Sequence, residues 1–208
     1  MTLNSLAPTP PLRLGAFLPS SRANGPGLRA VVWVQGCKLR CPGCFNPDFL
    51  PLEGGTLHEP AEIAGMILAT ADTEGATFSG GEPFLQAEAL AEVARLVRAA
   101  NKSVIIFTGF EWDVLEHATD PAHQSLLAQA DTLIAGPYRS ELPSVHPLLA
   151  SGNQRLIHLS GCYRDEDFVT STAKPATRSV EFRIAPDGTV AMTGFPALEI
   201  RRGLTQFP

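Results

Sequence analysis

Short β-rich runs alternate with helical segments along most of this chain, and that alternation constrains the fold more than any other feature. The β-rich runs cover residues 29–35, 76–79, 102–108, 131–135 and 154–159. Helices are predicted over 59–71, 86–100, 111–116 and 122–130, and the first two carry apolar residues at helical spacing. Strands that alternate with helices predict a parallel sheet with crossover helices, so the sequence indicates an α/β fold.

The two ends of the chain have a different character. Residues 1–28 are rich in Pro, Ser, Gly and Asn, and we expect them to form a loosely held N-terminal segment. Near the other end, residues 180–184 and 189–193 flank an Ala-Pro-Asp-Gly turn, which predicts a β-hairpin. The expected organisation is the N-terminal segment, a core over 29–160, and a C-terminal extension over 161–208 that contains this hairpin.

Charge and hydropathy exclude two classes of partner. The chain has 16 basic and 21 acidic residues and a net charge of −5, with no dense Lys/Arg stripe, so no nucleic-acid binding is expected. No apolar run approaches the length of a membrane span. The first residues show no basic segment followed by an apolar core. We therefore expect a cytoplasmic protein whose thiols are reduced and which makes no membrane contact.

Three cysteines follow the first β-rich run in the spacing C-x3-C-x2-C, at Cys37, Cys41 and Cys44. Three thiolates are one fewer than the usual set of four, so a metal centre here keeps a coordination position for another ligand. The loop is suited to a [4Fe–4S] cluster with one open iron. It is also compatible with one zinc ion that takes a fourth ligand such as His58, or with free thiols.

A second candidate motif, Ser79-Gly80-Gly81-Glu82-Pro83, follows the second β-rich run. Paired glycines let a backbone approach a ligand closely, because no Cβ intervenes. The Glu82 carboxylate and nearby carbonyl groups can accept hydrogen bonds from a ligand ammonium. The alternative interpretation is an ordinary Gly-Gly turn that leads into a helix started by proline.

In combination, the two motifs resemble the radical S-adenosylmethionine (SAM) superfamily. Local segments are similar to the anaerobic ribonucleotide reductase activating proteins, which are glycyl-radical-enzyme activases. These segments are Cys41-Pro42-Gly43-Cys44-Phe45-Asn46, Ile106-Phe107-Thr108-Gly109-Phe110, Asp131-Thr132-Leu133-Ile134-Ala135-Gly136-Pro137-Tyr138 and Ser151-Gly152-Asn153-Gln154-Arg155. The resemblance spans residues 13–159, and the tail from Cys162 onward has no counterpart in it.

The resemblance implies a partial (open) α/β barrel of the radical SAM type, with the C-terminal β-hairpin as a small appendage. It implies a [4Fe–4S] cluster and SAM as cofactors, and reductive cleavage of SAM to a 5′-deoxyadenosyl radical. The radical would abstract hydrogen from a glycine of a large partner, an anaerobic ribonucleotide reductase-like glycyl-radical enzyme. An electron donor such as flavodoxin or ferredoxin would reduce the cluster. Modification of a peptide or small molecule, and a non-catalytic metal-binding module, remain alternatives.

The resemblance also assigns roles to particular residues. Cys37, Cys41 and Cys44 would hold the cluster. Other positions would contact SAM: Gly43 and Phe45 on its adenine side, Gly80, Gly81 and Glu82 at its ammonium, Thr108 at the strand end, and Asn153 with Gln154 and Arg155 at the far end of the site. Thr108 is equally suited to a capping role, and residues 153–155 to a polar strand start.

Overall fold

The computed structural model describes residues 8–168, 180–184 and 190–195, and the fold is of the α/β class. The strands are β1 (Leu12–Ser21), β2 (Arg29–Val34), β3 (Thr56–His58), β4 (Gly75–Gly80), β5 (Ser103–Thr108), β6 (Thr132–Ala135), β7 (Arg155–His158), β8 (Val180–Ile184) and β9 (Val190–Gly194). The helices are α1 (Pro60–Leu68), α2 (Ala87–Ala99), α3 (Trp112–Glu116), α4 (Pro121–Gln129) and α5 (Asp165–Phe168). Within the described residues, no helix has both the length and the apolar content needed to cross a bilayer.

Seven strands form one open sheet in the order β3-β1-β2-β4-β5-β6-β7. Its centre is parallel, as the alternation of strands and helices predicts, because β2, β4, β5 and β6 run in the same direction. The edges are antiparallel: β1 pairs with β2 and β3, and β7 pairs with β6. The connection from β6 to β7 contains no helix, so it does not form the crossover that a parallel pair requires.

The parallel register brings the carboxyl ends of four strands to one edge of the sheet. Val34 of β2 lies beside Gly80 of β4, and Thr108 of β5 lies beside Ala135 of β6. Each of these strand ends leads directly into a segment that the sequence marks as a candidate site. The cysteine loop and the Gly-Gly-Glu turn therefore meet at this edge, where open α/β sheets place their ligands.

Helices cover one face of the sheet and build the larger core. Ile63 of α1, Leu90 of α2 and Leu126 of α4 are fully buried in one cluster with Val32 and Phe78 of the sheet. A smaller cluster lies on the opposite face. It contains the buried residues Ile105, Ile134, Leu148 and Phe168, with Phe107, Tyr163 and Phe195 packed against them. The second face is thus covered by the β6–β7 connection, which supplies Leu148, and by segments that follow β7.

The expectation of a loosely held segment over residues 1–28 is wrong for residues 12–21. These residues form β1, a ten-residue strand that pairs on both sides. Leu12 and Leu14 point into the main core and are almost completely buried. Composition led to this error, because the prolines and serines that surround β1 concealed the alternation of its leucines. The domain boundaries themselves stay a prediction.

The predicted hairpin is confirmed by the pairing of β8 with β9, in which Val180 lies opposite Gly194 and Ile184 lies opposite Val190. The turn predicted at residues 185–188 lies outside the described residues. The hairpin is anchored to the segment that follows β1. The backbone N–H of Arg22 donates to the Glu181 carboxylate at 2.8 Å.

Candidate functional site

The cysteine loop begins where β2 ends, and the chain that follows the loop fastens its start. Gly36 has a φ of 99°, which lets the backbone turn away from the strand. The N–H of Gly36 donates to the carbonyl of Phe49 at 2.9 Å, and the N–H of Cys37 donates to the carbonyl of Leu50 at 3.1 Å. These two hydrogen bonds bring residues 49 and 50 next to residues 36 and 37, so the segment between them forms a closed loop that contains the three cysteines.

A tight turn connects the last two cysteines, as the Pro-Gly pair predicts. The N–H of Cys44 donates to the carbonyl of Cys41 at 3.1 Å. Pro42 supplies the fixed φ of the first central position, and Gly43 has the φ of 71° that the second position of a type II turn requires. Local turn chemistry therefore sets the separation of Cys41 and Cys44 without help from a tertiary contact.

All three cysteine side chains line one pocket. Cys37 is only 7% exposed, and burial raises the pKa of its thiol, although the backbone N–H groups of Leu39 and Arg40 oppose this effect. Cys41 and Cys44 are half-buried, and the N–H of Asn46 donates to Cys44 Sγ at 3.4 Å. Bound iron would keep such thiols deprotonated, and N–H donors to sulfur adjust the reduction potential of a cluster.

The donor set fits a cluster and not the zinc site that the sequence left open. His58 lies on the edge strand β3, where it contacts Thr56 at 2.8 Å and Glu62 at 3.4 Å instead of the cysteines. Across the described residues, no three His, Cys, Asp or Glu side chains converge on a point that could hold one metal ion. Thiolates of a [4Fe–4S] cluster bind separate irons, so they surround a pocket without meeting at one point.

The Gly-Gly-Glu turn is held against the start of the cysteine loop. The N–H of Gly81 donates to the carbonyl of Val34 at 2.7 Å, and the N–H of Glu82 donates to the carbonyl of Gly36 at 2.8 Å. A Cβ atom on Gly81 would stand 2.2 Å from the Gly36 oxygen. Glycine is required here because two backbone segments touch, and this contact fixes the turn relative to Cys37.

Glu82 is the buried carboxylate of the site, with 1% of its surface exposed. Its Oε1 accepts hydrogen bonds from the Phe84 N–H at 3.0 Å and from Thr108 Oγ1 at 2.7 Å, and its Oε2 accepts from the Gly109 N–H at 2.8 Å. Burial raises the pKa of Glu82 from 4.5 to about 7, although these three donors oppose the shift. Glu82 thus ties the end of β4 to the end of β5.

Thr108 performs the capping role that the sequence allowed. Its hydroxyl donates to Glu82 and accepts a hydrogen bond from the N–H of Phe110 at 3.1 Å. Both hydrogen-bonding functions of the hydroxyl are therefore used within the protein. The contact of Glu82 with the SAM ammonium and the contact of Thr108 with the cofactor stay predictions. Each contact would use an oxygen lone pair that the hydrogen bonds within the protein leave open.

The pocket draws its walls from the ends of four parallel strands. Its predicted members are Cys37, Cys41, Cys44, Phe45, Gly81, Glu82 and Thr108, and Gln154 lines it as well. Its volume is about 110 Å³, and it shares Phe45, Asn46, Ser79 and Phe195 with a neighbouring cavity of about 400 Å³. The neighbouring cavity by itself reaches the size of a ligand site.

Three predicted residues, Gly43, Gly80 and Asn153, lie beside the pocket and do not form its lining. The Asn153 amide N–H donates to the carbonyl of Pro137 at 2.8 Å. Its Oδ1 is the buried side-chain atom that has no hydrogen-bond partner among the described residues. Gln154 reaches the pocket instead, with its amide N–H donating to the Gly136 carbonyl at 3.0 Å. The roles assigned to these three residues stay predictions.

Sequence reasoning placed Phe45 at the site but missed Phe195, which completes the aromatic wall of the pocket. Phe45 packs edge-on against Tyr138, with ring centroids 5.0 Å apart, and edge-on against Phe195 at 5.5 Å. Phe195 also contacts Phe107 at 5.7 Å. Tyr138 follows a recognisable motif, whereas Phe195 lies 150 positions from Phe45 and carries no local signal that it belongs to the site.

The fold and the site together define an iron–sulfur protein whose single cluster loop sits at the carboxyl ends of parallel strands, next to a ligand pocket. The family model of the 4Fe–4S single cluster domain matches residues 23–157. The chain belongs to this family and, within it, to the group of the anaerobic ribonucleoside-triphosphate reductase-activating proteins, whose similarity to the chain extends over nearly their full length.

The relatives differ in how much of their length the chain spans. The chain is 31% identical to the anaerobic ribonucleoside-triphosphate reductase-activating protein of Enterobacteria phage T4, over 66% of the chain and 88% of the relative. The corresponding protein of Haemophilus influenzae is 27% identical over 68% and 94%. The pyruvate formate-lyase-activating enzyme of Listeria monocytogenes is 39% identical, but over 38% of the chain and only 34% of the relative.

These matches confirm the resemblance to the radical SAM superfamily. A [4Fe–4S] cluster and SAM are therefore the cofactors of the chain, which is an enzyme of the glycyl-radical activase type. The residues present fit these cofactors, because three thiols from one loop line a single pocket and leave one iron of the cluster without a protein thiolate.

Proposed function

We propose that this chain activates a large glycyl-radical enzyme of the anaerobic ribonucleotide reductase type by generating a radical on one of its glycines. One observation carries the proposal: the three thiols of the Cys37–Cys44 loop converge on a pocket at the carboxyl ends of parallel strands. The reductase is favoured over pyruvate formate-lyase as the partner because similarity covers 88% of the phage T4 relative but only 34% of the Listeria relative.

The chemistry belongs to the cofactors, and the chain supplies their position. When bound, the cluster and SAM supply a one-electron cleavage that yields a 5′-deoxyadenosyl radical, and this radical takes a hydrogen atom from a glycine Cα of the partner. Cys37, Cys41 and Cys44 hold the irons. The close contact of Gly81 with Gly36 fixes the turn against the start of the loop that would hold the cluster.

The remaining assignments belong to the same proposal. Phe45 and Gly43 lie on the adenine side of SAM, the turn over residues 80–82 receives its ammonium, and Asn153 organises the far end of the site. The sheet acts as a partial α/β barrel around the cofactors, with the core over residues 29–160 and the extension over 161–208. The protein works in the cytoplasm and takes its electron from a flavodoxin or ferredoxin, because the cluster needs a reducing compartment and a one-electron donor.

For the test, the protein is reconstituted with iron and sulfide in the absence of oxygen. It is then mixed with SAM, a reductant and a purified anaerobic ribonucleotide reductase. We expect a glycyl-radical EPR doublet on the reductase. We also expect one 5′-deoxyadenosine to form for each glycyl radical. Pyruvate formate-lyase serves as the comparison partner, and Cys44→Ala as the control that loses a cluster ligand. SAM cleavage without any doublet on either partner would contradict the proposed substrate class.

A further inference from the structure

Phe195, which directly follows the C-terminal hairpin, lines the cysteine pocket, although it lies outside the region that defines the family. The family match ends at residue 157, whereas the hairpin comprises β8 and β9 with Phe195 directly after them.

Both strands of the hairpin are fastened to the end of β1 and the loop that follows it. On β8, Glu181 accepts from the Arg22 N–H at 2.8 Å, and the Arg183 guanidinium donates to the Ser20 carbonyl at 3.0 Å. On β9, the hydroxyl of Thr193 accepts from the Asn24 side-chain N–H at 2.8 Å. Three separate attachments hold the hairpin in one orientation over the sheet.

This orientation brings Phe195 to the boundary between two spaces. The Phe195 side chain is half-buried and lines the pocket of the three cysteines. It also lines the cavity of about 400 Å³ that lies between the hairpin and the sheet residues Leu18 and Trp33. A smaller side chain at position 195 would join the two spaces and open the cysteine pocket toward the cavity.

Phe195 also supports Phe45, the residue that directly follows the last cysteine. The two rings meet edge-on with centroids 5.5 Å apart, and Phe107 of β5 supports Phe195 from behind at 5.7 Å. An edge-to-face pair is favourable beyond the area it buries, so the contact with Phe195 restricts the ring of Phe45. The position of Phe45 thus depends on a residue 150 positions away.

We propose that Phe195 is a positioning residue that fixes Phe45 beside the cofactors and closes the cysteine pocket toward the neighbouring cavity. This inference rests on the proposed function. Its consequence is that the hairpin tightens SAM binding and confines the radical, so that SAM cleavage stays coupled to hydrogen abstraction from the partner. A loosened wall admits water and leaves more of the cleavage events without a glycyl radical.

The experiment compares the reconstituted wild type with Phe195→Ala. We expect unchanged iron content, a SAM dissociation constant raised about twofold to tenfold, as the loss of one aromatic pair implies, and more 5′-deoxyadenosine per glycyl radical. SAM binding is measured by equilibrium dialysis on the unreduced protein, which needs no turnover. Phe195→Tyr keeps the ring and is expected to restore both values.

The matched control is Phe182→Ala on the same hairpin, because Phe182 is 49% exposed and lines neither space. Thr193→Val removes the hydroxyl that joins β9 to Asn24 and is expected to give a smaller change in the same direction. This variant tests the inference if Phe195→Ala folds poorly. Wild-type values in both Phe195→Ala and Thr193→Val, or equal changes in Phe182→Ala, would overturn the inference. A wild type that cleaves no SAM would instead overturn the proposed function.

Discussion

The variant Glu82→Gln measures how much the buried Glu82 carboxyl group, which joins the ends of β4 and β5, contributes to stability. In the wild type, three hydrogen bonds reach its oxygens, from the N–H of Phe84, the hydroxyl of Thr108 and the N–H of Gly109. Glutamine keeps one acceptor oxygen and presents an NH₂ group to one of these donors. A buried donor left without an acceptor costs about 1–3 kcal/mol of stability.

The pH dependence of this cost follows from the pKa of Glu82. Because burial raises the pKa of Glu82 from 4.5 to about 7, the folded chain binds this proton more tightly than the unfolded chain. The stability that protonated Glu82 contributes is fully present below the unfolded pKa and is lost as the pH rises through about 7. Between about pH 5.5 and about pH 8 the wild type loses about 2 kcal/mol through this group alone.

Glutamine has no proton to lose, so the stability gap between the wild type and Glu82→Gln is expected to narrow by about 2 kcal/mol over this pH range. Urea unfolding of both proteins without cofactors, followed by tryptophan fluorescence at several pH values, gives the gap directly. Subtracting the variant from the wild type cancels the titration of all other groups. The exposed Glu53 provides a control for the substitution itself, since Glu53→Gln at the surface should change stability by no more than about 0.5 kcal/mol. A gap that stays constant or widens with rising pH would refute this account of Glu82.

Three further outcomes are expected. Cys44→Ala should reduce the reconstituted iron content well below about four irons per chain. Cys162→Ala should retain the full iron content, because Cys162 is an exposed thiol outside the pocket. Iron analysis and visible absorption check both variants. Gly81→Ala should lower SAM cleavage more than tenfold, because its Cβ would stand 2.2 Å from the Gly36 oxygen and displace the turn; the rate of 5′-deoxyadenosine formation checks this. Arg29→Met should destabilise the chain by about 3 kcal/mol in urea unfolding, because the buried guanidinium bonds Thr77, Ser103 and Tyr163, while iron content stays normal.

The order of the structural elements was accessible from local sequence patterns. The helix predicted over 86–100 is observed as Ala87–Ala99, and the strand predicted over 102–108 as Ser103–Thr108. The helix carries a periodic apolar pattern and the strand a continuous β-rich run, and these signals depend only on neighbouring residues. In contrast, β1 was missed although Leu12 and Leu14 alternate correctly, because nearby prolines and serines concealed the pattern. Its pairing with β2 and β3 and the burial of both leucines in the main core are tertiary features.

The candidate site likewise has features that local sequence patterns predict and features that only the tertiary structure shows. The turn between Cys41 and Cys44 was predictable, because proline and glycine set its dihedral angles without help from the rest of the chain. Glu82 was recognised as a site residue, but its burial and its bonds to the end of β5 were not foreseen. These properties require that β4 and β5 lie side by side, which no local pattern encodes.

By itself, the sequence determined three thiols on one loop, the turn that spaces them and the alternation of strands and helices around them. These features rest on covalent geometry and on short-range periodicity. Only the tertiary structure decided that the pKa of Glu82 rises, that Gly81 touches Gly36, and that Phe195 closes the pocket against Phe45. Burial, close approach and ring packing depend on which distant segments meet, and the packing of the whole sheet determines that.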